Sequence, residues 1–378
     1  MKLLLDDNGL HLRFAPLTLT RPVAELRWGI LTNAERWKFW LPEADIFFGT
    51  EAYLQTKYPA SDAIDRVVNA AIVPTEEIAG AVVAMENDQA LIVGDTWIAR
   101  TGNAGQRLLF RGQEPLHLHQ RWDLYKQNDE AIVADFFMLT AGRASQLLSD
   151  SNTVIGDESL IFLEEGATVE ASVLNTTAGP IYIGKNAEIM EGCLVRGPFS
   201  LGEHAVLKMG AKIYGATTIG PHCKVGGEVS NCIFAGYSNK GHDGFLGNSL
   251  VGEWCNFGAD SNTSNLKNNY GSIRTYSYET GSETETGEQF MGLTMGDHSK
   301  CGINTMFNTA TVVGVSCNIY GGGFPDKFIP SFSWGGSDGL EVFKLEKAEE
   351  AANAMMGRRS LQLTEGDRQI FNYLAGKR

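Results

Sequence analysis

An aliphatic or aromatic residue recurs at every sixth position through the middle of this chain, and no other feature restricts its possible folds so strongly. Ile183, Ile189, Val195, Leu201, Leu207, Ile213, Ile219 and Val225 keep the step without a miss. With hydrophobic residues at 43% of the chain, eight such hits in a row have odds of roughly one in a thousand per frame. The ladder starts earlier, at Ile155, Ile161, Ala167 and Val173, and shifts phase through Asn175 to Ile181. It shifts again after Val225 to continue at Ile233, Phe245, Val251 and Phe257, and a last run is Met295, Cys301, Phe307, Val313 and Ile319. A period of six fits neither a helix nor a lone strand, whose periods are about 3.6 and 2.0. It fits a parallel β-helix built from hexapeptides. Glycine often follows the ladder residue, as at Gly184, Gly202, Gly220 and Gly314, where short strands must turn corners.

One coil of such a helix cannot bury its own inward row, so stability comes from stacking each ladder residue on its counterparts above and below. The repeat resembles that of hexapeptide-repeat proteins, which implies a left-handed helix with three hexads per coil, a homotrimer and ligand sites between subunits. All six cysteines (Cys193, Cys223, Cys232, Cys255, Cys301 and Cys317) fall inside the repeat, and none is spaced as a zinc motif. They read as reduced packing residues of a cytoplasmic protein. The opening MKLLLDDNG carries charge straight after a very short apolar run, which predicts no secretory signal. No apolar run reaches the roughly 20 residues of a membrane span. A formal charge of −14 argues against a nucleic-acid partner.

The N-terminal third carries a different signal. Lys2 to Asp6 reads as a strand, followed by the turn Asp7-Asn8-Gly9 and then HLRFAPLTLTRPVA. Arg13, Pro16-Leu17-Thr18 and Pro22 stand at the spacings of a motif in sugar-1-phosphate nucleotidyltransferases. The stretch PLTLTRPVAELRWGILTNAERW resembles the start of an alternative bifunctional uridyltransferase/acetyltransferase family of Bacteroidetes-type bacteria. Two positions depart from the motif: the glycine-rich loop is reduced to Gly9, and Val23 stands where the family has lysine. The resemblance implies UTP or another nucleoside triphosphate as cosubstrate and makes Arg13 and Arg21 candidate phosphate ligands, since phosphoryl chemistry needs cations to spread its charge. A buried parallel strand ending in Gly94-Asp95 is expected within ALIVGDTWIA, and the resemblance to nucleotidyltransferases implies Asp95 as the candidate Mg²⁺ ligand. The module is short for this family.

Inside the repeat, the run SNKGHDGFLGNSLVGEWCNFGADSNTSN turns polar and resembles the acetyltransferase half of the same bifunctional family. It keeps Gly241-His242, Leu246-Gly247, Asn256-Phe257-Gly258-Ala259 and Asn265. The resemblance implies acetyl-CoA as cosubstrate, His242 as the base for acetyl transfer, and Lys240, Asn256 and Asn265 as substrate-binding residues. A histidine suits proton transfer near neutral pH. Asn239 reads as a polar residue in a ladder position. The segment 264–290 breaks the ladder and reads as a protruding hairpin able to reach a neighbouring subunit. The coils are expected to end near Gly321-Gly322-Gly323-Phe324-Pro325, with helices over Leu340–Met356 and from Thr364 to Leu374.

The expected organisation is a shortened Rossmann-like α/β nucleotidyltransferase-like domain over 1–149, a left-handed β-helix over 150–325, and a C-terminal cap with helices over 326–378. The expected function is sugar-1-phosphate uridylyl transfer, glucosamine-1-phosphate N-acetylation, or both, leading to UDP-N-acetylglucosamine or a related activated sugar. Two alternatives stand beside it: one active module only, or a non-catalytic trimeric scaffold that binds sugar nucleotides.

Overall fold

A computed structural model describes residues 1–377. The chain forms an N-terminal α/β layer, then a left-handed parallel β-helix, then two C-terminal helices.

The α/β layer holds β1 (Lys2–Asp6), β2 (Asp45–Gly49), β3 (Arg66–Asn69), β4 (Gln89–Val93), β5 (Thr96–Arg100) and β6 (Gln106–Leu109) in the sheet order β2-β1-β3-β5-β4-β6. β1 pairs in parallel with β2 and β3. Helices α1 (His11–Phe14), α2 (Asn33–Trp40), α3 (Glu76–Ala84), α4 (Asp123–Lys126) and α5 (Asn128–Thr140) surround it. Thr32 and Glu35 form a reciprocal capping box that sets the start of α2. The expected strand across ALIVGDTWIA is instead a hairpin: β4 and β5 run antiparallel, with Val93 opposite Thr96 and Gly94-Asp95 as the turn. Gly94 has a φ of +55°, which suits such a two-residue turn. Helix α5 ends at Thr140, and the chain then runs to the first coil without a further helix among the described residues.

Among the described residues the β-helix has three sheets of nine, ten and six strands, parallel except for the final strand Gly339–Val342, which pairs antiparallel with Ser333–Gly336. All eight residues from Ile183 to Val225 that carry the sequence ladder lie in its buried column. Between Ile183 and Leu201, and between Leu201 and Ile219, a coil takes 18 residues. The next coils are shorter: Ile219 stacks on Phe234 and Phe234 on Val251. The inward residue is therefore Phe234 and not Ile233, which packs against the α/β layer. By the same shift Leu246 replaces Phe245, Leu174 replaces Val173, and Val154 replaces Ile155, which is 44% exposed. The strand Asn239–Lys240 registers Lys240 on Val225, so the polar residue in the column is Lys240 and not Asn239. The coils do not stop at Gly323: Phe328–Ile329 and Ser333–Gly336 add a further turn, pairing with Val312–Val313 and Asn318–Ile319.

Each face of the triangular helix meets a different environment. The nine-stranded sheet is covered by the α/β layer. Phe162 and Tyr182 pack with Ile30 and Phe136, and Ser200 and Thr218 donate to the Gly29 carbonyl at 3.3 and 2.5 Å. The ten-stranded sheet faces α6 (Leu345–Gly357) near its middle. The six-stranded sheet presents Leu194, 51% exposed, and Tyr214, 40% exposed, with Ile155 along its outward row.

The 264–290 segment contains an antiparallel hairpin, Arg274–Ser277 with Ser282–Glu285. It does not project freely: it grips the chain's own α/β layer. Arg121 donates to Thr275 Oγ1 at 2.6 Å and to the Tyr276 carbonyl at 2.7 Å. Lys126 pairs with Glu288 at 2.6 Å, and Arg13 with Glu279 at 2.8 Å. At the other end, α7 (Glu365–Gly376), capped by Thr364 and Asp367, ties both halves together. Lys57 pairs with Asp367 at 2.9 Å, and Phe371 packs edge-on to His298 and Phe332 of the β-helix.

Candidate functional site

The outward row of the ten-stranded sheet places one side chain per coil in a single line. Lys224 is in register with Asn239, Asn239 with Asn256, and Asn256 with Lys300. Across a groove from this line lies the carboxyl end of α6 with Arg358 and Arg359. The groove has a volume of about 580 Å³, within the ~300–1,000 Å³ of small-molecule sites. Tyr237, Ser238, Trp254, Ala354 and Met355 complete its walls, and among the described residues no carboxylate lines it.

Its side chains are held in place by the corner of the helix. His204, His222, Tyr237, Trp254 and His298 occupy equivalent corner positions with positive φ between 55° and 60°. Their rings stack as a column, with Tyr237 and Trp254 only 4.2 Å apart between centroids. Arg359 Nη2 donates to the His222 carbonyl at 2.6 Å, which fixes the end of α6 against this column. Lys300 donates to the His298 carbonyl at 2.9 Å, and Asn239 Nδ2 to Asn256 Oδ1 at 3.0 Å. Burial pushes the Lys300 ammonium below its ordinary pKa.

Of the residues singled out from sequence, Asn256 lies in this groove. His242 lies two residues beyond the strand Asn239–Lys240, exposed at the corner that leads to the six-stranded sheet. Lys240 does not join them. Its side chain runs into the column, where Nζ donates to the carbonyls of Gly226 and His242 at 3.1 and 3.0 Å, and burial pushes its pKa down to about 8. A ligand outside the coil does not meet it. Asn265 donates to Asn248 Oδ1 at 2.8 Å, a contact between adjacent coils.

The phosphate-ligand candidates of the α/β layer are engaged elsewhere. Arg21 is buried and pairs with two carboxylates of the β-helix, Glu253 at 3.0 Å and Asp297. Its charge is thereby neutralised within the protein, and it joins the two halves of the chain. Arg13 pairs with Glu279 in the hairpin segment. At the carboxyl end of β1, Asp7 accepts from the Val23 N–H at 2.8 Å and from Thr50 Oγ1 at 2.6 Å, so it organises the loop. Asp6 pairs with Arg100 at 2.7 Å. Asp95 stands exposed in its hairpin turn. Among the described residues no three His, Cys, Asp or Glu side chains gather into a metal-holding group. The residues around Asp95 therefore do not form a protein cage for Mg²⁺.

Lys224, Lys300, Arg358 and Arg359 were not apparent in the sequence as site residues. A signal for the lysines exists: each directly precedes a ladder residue, Val225 or Cys301. That places them on the outward row shared with Asn239 and Asn256. Nothing local to Arg358 and Arg359 reveals that α6 folds back onto this face.

Residues 2–144 match a family model described as sugar nucleotidyl transferase. No curated protein matches the sequence. Among solved structures, the chain is similar to a UDP-N-acetylglucosamine acyltransferase of Arabidopsis. The identity is 15% and the TM-score 0.24, covering 61% of this chain and 90% of that one. A UDP-N-acetylglucosamine acyltransferase from Campylobacter jejuni is similar at 14% identity and a TM-score of 0.27, covering 60% of this chain and 95% of that one. The β-helix is established by its own strand register, independently of these likenesses.

Proposed function

We propose that this protein is a transferase of nucleotide-sugar metabolism that joins a nucleotidyltransferase-like layer to a β-helix acyltransferase. The observation that carries the reading is the match of residues 2–144 to the sugar nucleotidyl transferase model, in a chain whose β-helix bears a cation-lined groove that includes Asn256. In the nucleotidyl step, an oxygen of a sugar 1-phosphate attacks the α-phosphorus of UTP or another nucleoside triphosphate. A P–O bond forms and pyrophosphate leaves. In the acyl step, the amine of an amino-sugar phosphate attacks the thioester of acetyl-CoA. A C–N bond forms, the C–S bond breaks, and the amine proton passes to a base, for which His242 is the candidate.

The same reading includes a homotrimer. Two faces of the β-helix are occupied by the chain itself, the nine-stranded one by the α/β layer and the ten-stranded one in part by α6. The six-stranded face keeps Ile155, Leu194 and Tyr214 exposed. It is the face we assign to the contact between copies, and His242 stands at its edge.

One observation favours a narrower second reading, in which only the acyl module works. Arg21 is consumed by Glu253 and Asp297. Incubating the purified chain with hexosamine 1-phosphates, UTP, dTTP and acetyl-CoA, with products weighed by mass spectrometry, separates the readings. Both products support the two-module enzyme, and acetylated sugar phosphate alone supports the second reading. Neither product would remove both and leave a binding scaffold.

A further inference from the structure

We propose that the groove between the Lys224–Lys300 row and the carboxyl end of α6 binds a pyrophosphate diester, the linkage shared by nucleotide sugars and coenzyme A. The transferase reading supplies only the choice of probes; the site itself rests on the groove.

Charge is the first argument. The chain holds 45 acidic residues against 31 basic ones, yet this groove is lined by Lys224, Lys300, Arg358 and Arg359 and, among the described residues, by no carboxylate. None of these four cations forms an ion pair with a carboxylate among the described residues, whereas Arg13, Arg21, Arg27, Arg36 and Arg100 all do. Solvated surface lysines are ordinary. A half-buried lysine whose one protein partner is a carbonyl, as with Lys300 and the His298 oxygen, leaves donors directed at whatever fills the groove. Burial without a counter-charge is costly, and an anionic ligand offsets it.

Geometry supplies the second argument. Lys224 and Lys300 sit three strand steps apart on one row, a span of about 14 Å at the usual strand spacing. Asn239 and Asn256 stand between them, and the α6 arginines face them. Cations spread along a line of this length suit an extended ligand carrying two linked phosphates better than a single phosphate. The asparagine amides between them suit hydroxyl or amide groups attached to those phosphates. The rings of Tyr237 and Trp254 are stacked on each other at 4.2 Å, and Tyr237 on His222 at 4.8 Å. Their faces are therefore occupied, and the site offers no aromatic platform for a base. Recognition falls on the diphosphate.

The test is calorimetric titration of the full-length protein with UDP-N-acetylglucosamine, coenzyme A and inorganic pyrophosphate, in buffer without divalent metal. At least one of the two diesters should bind, more weakly as salt rises. Lys224→Gln and Arg358→Gln, both at exposed positions, should each weaken that binding about tenfold or more. Lys185→Gln, whose lysine pairs with Glu165 on another part of the helix, should leave it unchanged. Binding of the nucleotide sugar alone or of coenzyme A alone supports the site and names its source. Binding of pyrophosphate without either diester overturns the proposal. So does no binding of either diester at a Kd under about 1 mM, or binding that both groove variants leave intact. A protein that binds the diester yet forms no product in the transfer assay keeps this site and loses the proposed function. Product formation with the wild-type KM in both variants does the reverse.

Discussion

Arg21 and Glu253 meet across the boundary between the two halves of the chain, Nη1 to Oε1 at 3.0 Å, while the second Nη of Arg21 is bonded to Asp297. Thr20 adds a bond to the same Asp297 carboxylate at 2.7 Å. One buried guanidinium thus neutralises two acids that strand Leu250–Glu253 and the following coil place at the interface. Removing it leaves both carboxylates without a counter-charge, an effect of about 3–5 kcal/mol for a broken buried pair. Arg21→Met should lower stability by that order and split a shared unfolding transition into two in a urea titration followed by calorimetry. Arg21→Lys should recover only part of the loss, because an ammonium cannot reach both acids with a planar fork. Full stability in Arg21→Met would show that the halves are held by packing alone.

His242 is exposed, and among the described residues its side chain makes no hydrogen bond. His242→Ala should therefore shift stability by no more than about 0.5 kcal/mol, while acetyl transfer falls roughly 10²–10⁴-fold if the ring is the base. The KM for acetyl-CoA should change little, because proton transfer belongs to the transition state. An unchanged acetylation rate would make this histidine a corner residue only.

Lys240 gives a prediction of opposite sign. Its folded pKa is depressed to about 8 by burial, with Asp243 and other groups opposing. Between pH 8 and the ordinary lysine range of about 10.4, the unfolded chain holds a proton that the folded one does not, so stability rises with pH across that window. Below pH 8 the folded state must keep the charge inside the column. Lys240→Met should melt above wild type at pH 7, with the difference shrinking by pH 10. Ligand affinity in the groove should be unaffected, since Lys240 points inward. A variant that melts lower at both pH values would show that the bonds to the Gly226 and His242 carbonyls outweigh the burial of charge.

His298 reads out the docking of α7. Burial, with Lys300 adding repulsion, pushes its pKa down to about 3, and Nδ1 has no partner. An unfolded histidine takes a proton below about 6.5, which the folded one refuses, so stability is lost as pH falls from 6.5 towards 3. The slope contributed is at most about 1.4 kcal/mol per pH unit. His298→Phe, which keeps a ring beside Phe371, should flatten the acid side of the melting-temperature profile. An identical profile would place the acid sensitivity elsewhere.

The open six-stranded face can be tested by charge. Leu194→Glu places a carboxylate on a row that the proposed trimer buries. Light scattering should give a trimer for the wild type and a smaller species for the variant, with the β-helix circular dichroism unchanged. A wild-type monomer would remove the shared site on which the acyl reading depends.

The β-helix was legible in the residues alone, because stacking coils leave a period that no other fold writes so plainly. Wherever a coil takes 18 residues, as from Ile183 through Leu201 to Ile219, the buried residue is readable by counting. Where coil length changes, counting fails: Phe234 and Leu246 lie inside, and Ile233 and Phe245 do not. Register there is set by the neighbouring strand, which a linear pattern does not contain. The His242 corner and Asn256 were also readable, since both lie within the polar break in the ladder. Only the tertiary structure decided the fate of the charges. Arg21 and Arg13 stand in a stretch that resembles a nucleotidyltransferase motif, but the fold gives them acids from positions more than two hundred residues away. Lys224, Lys300, Arg358 and Arg359 carry no motif, and the return of α6 leaves them without an acid partner among the described residues. A cation's availability depends on which carboxylates the folded chain brings within reach, and that is a property of distance in space.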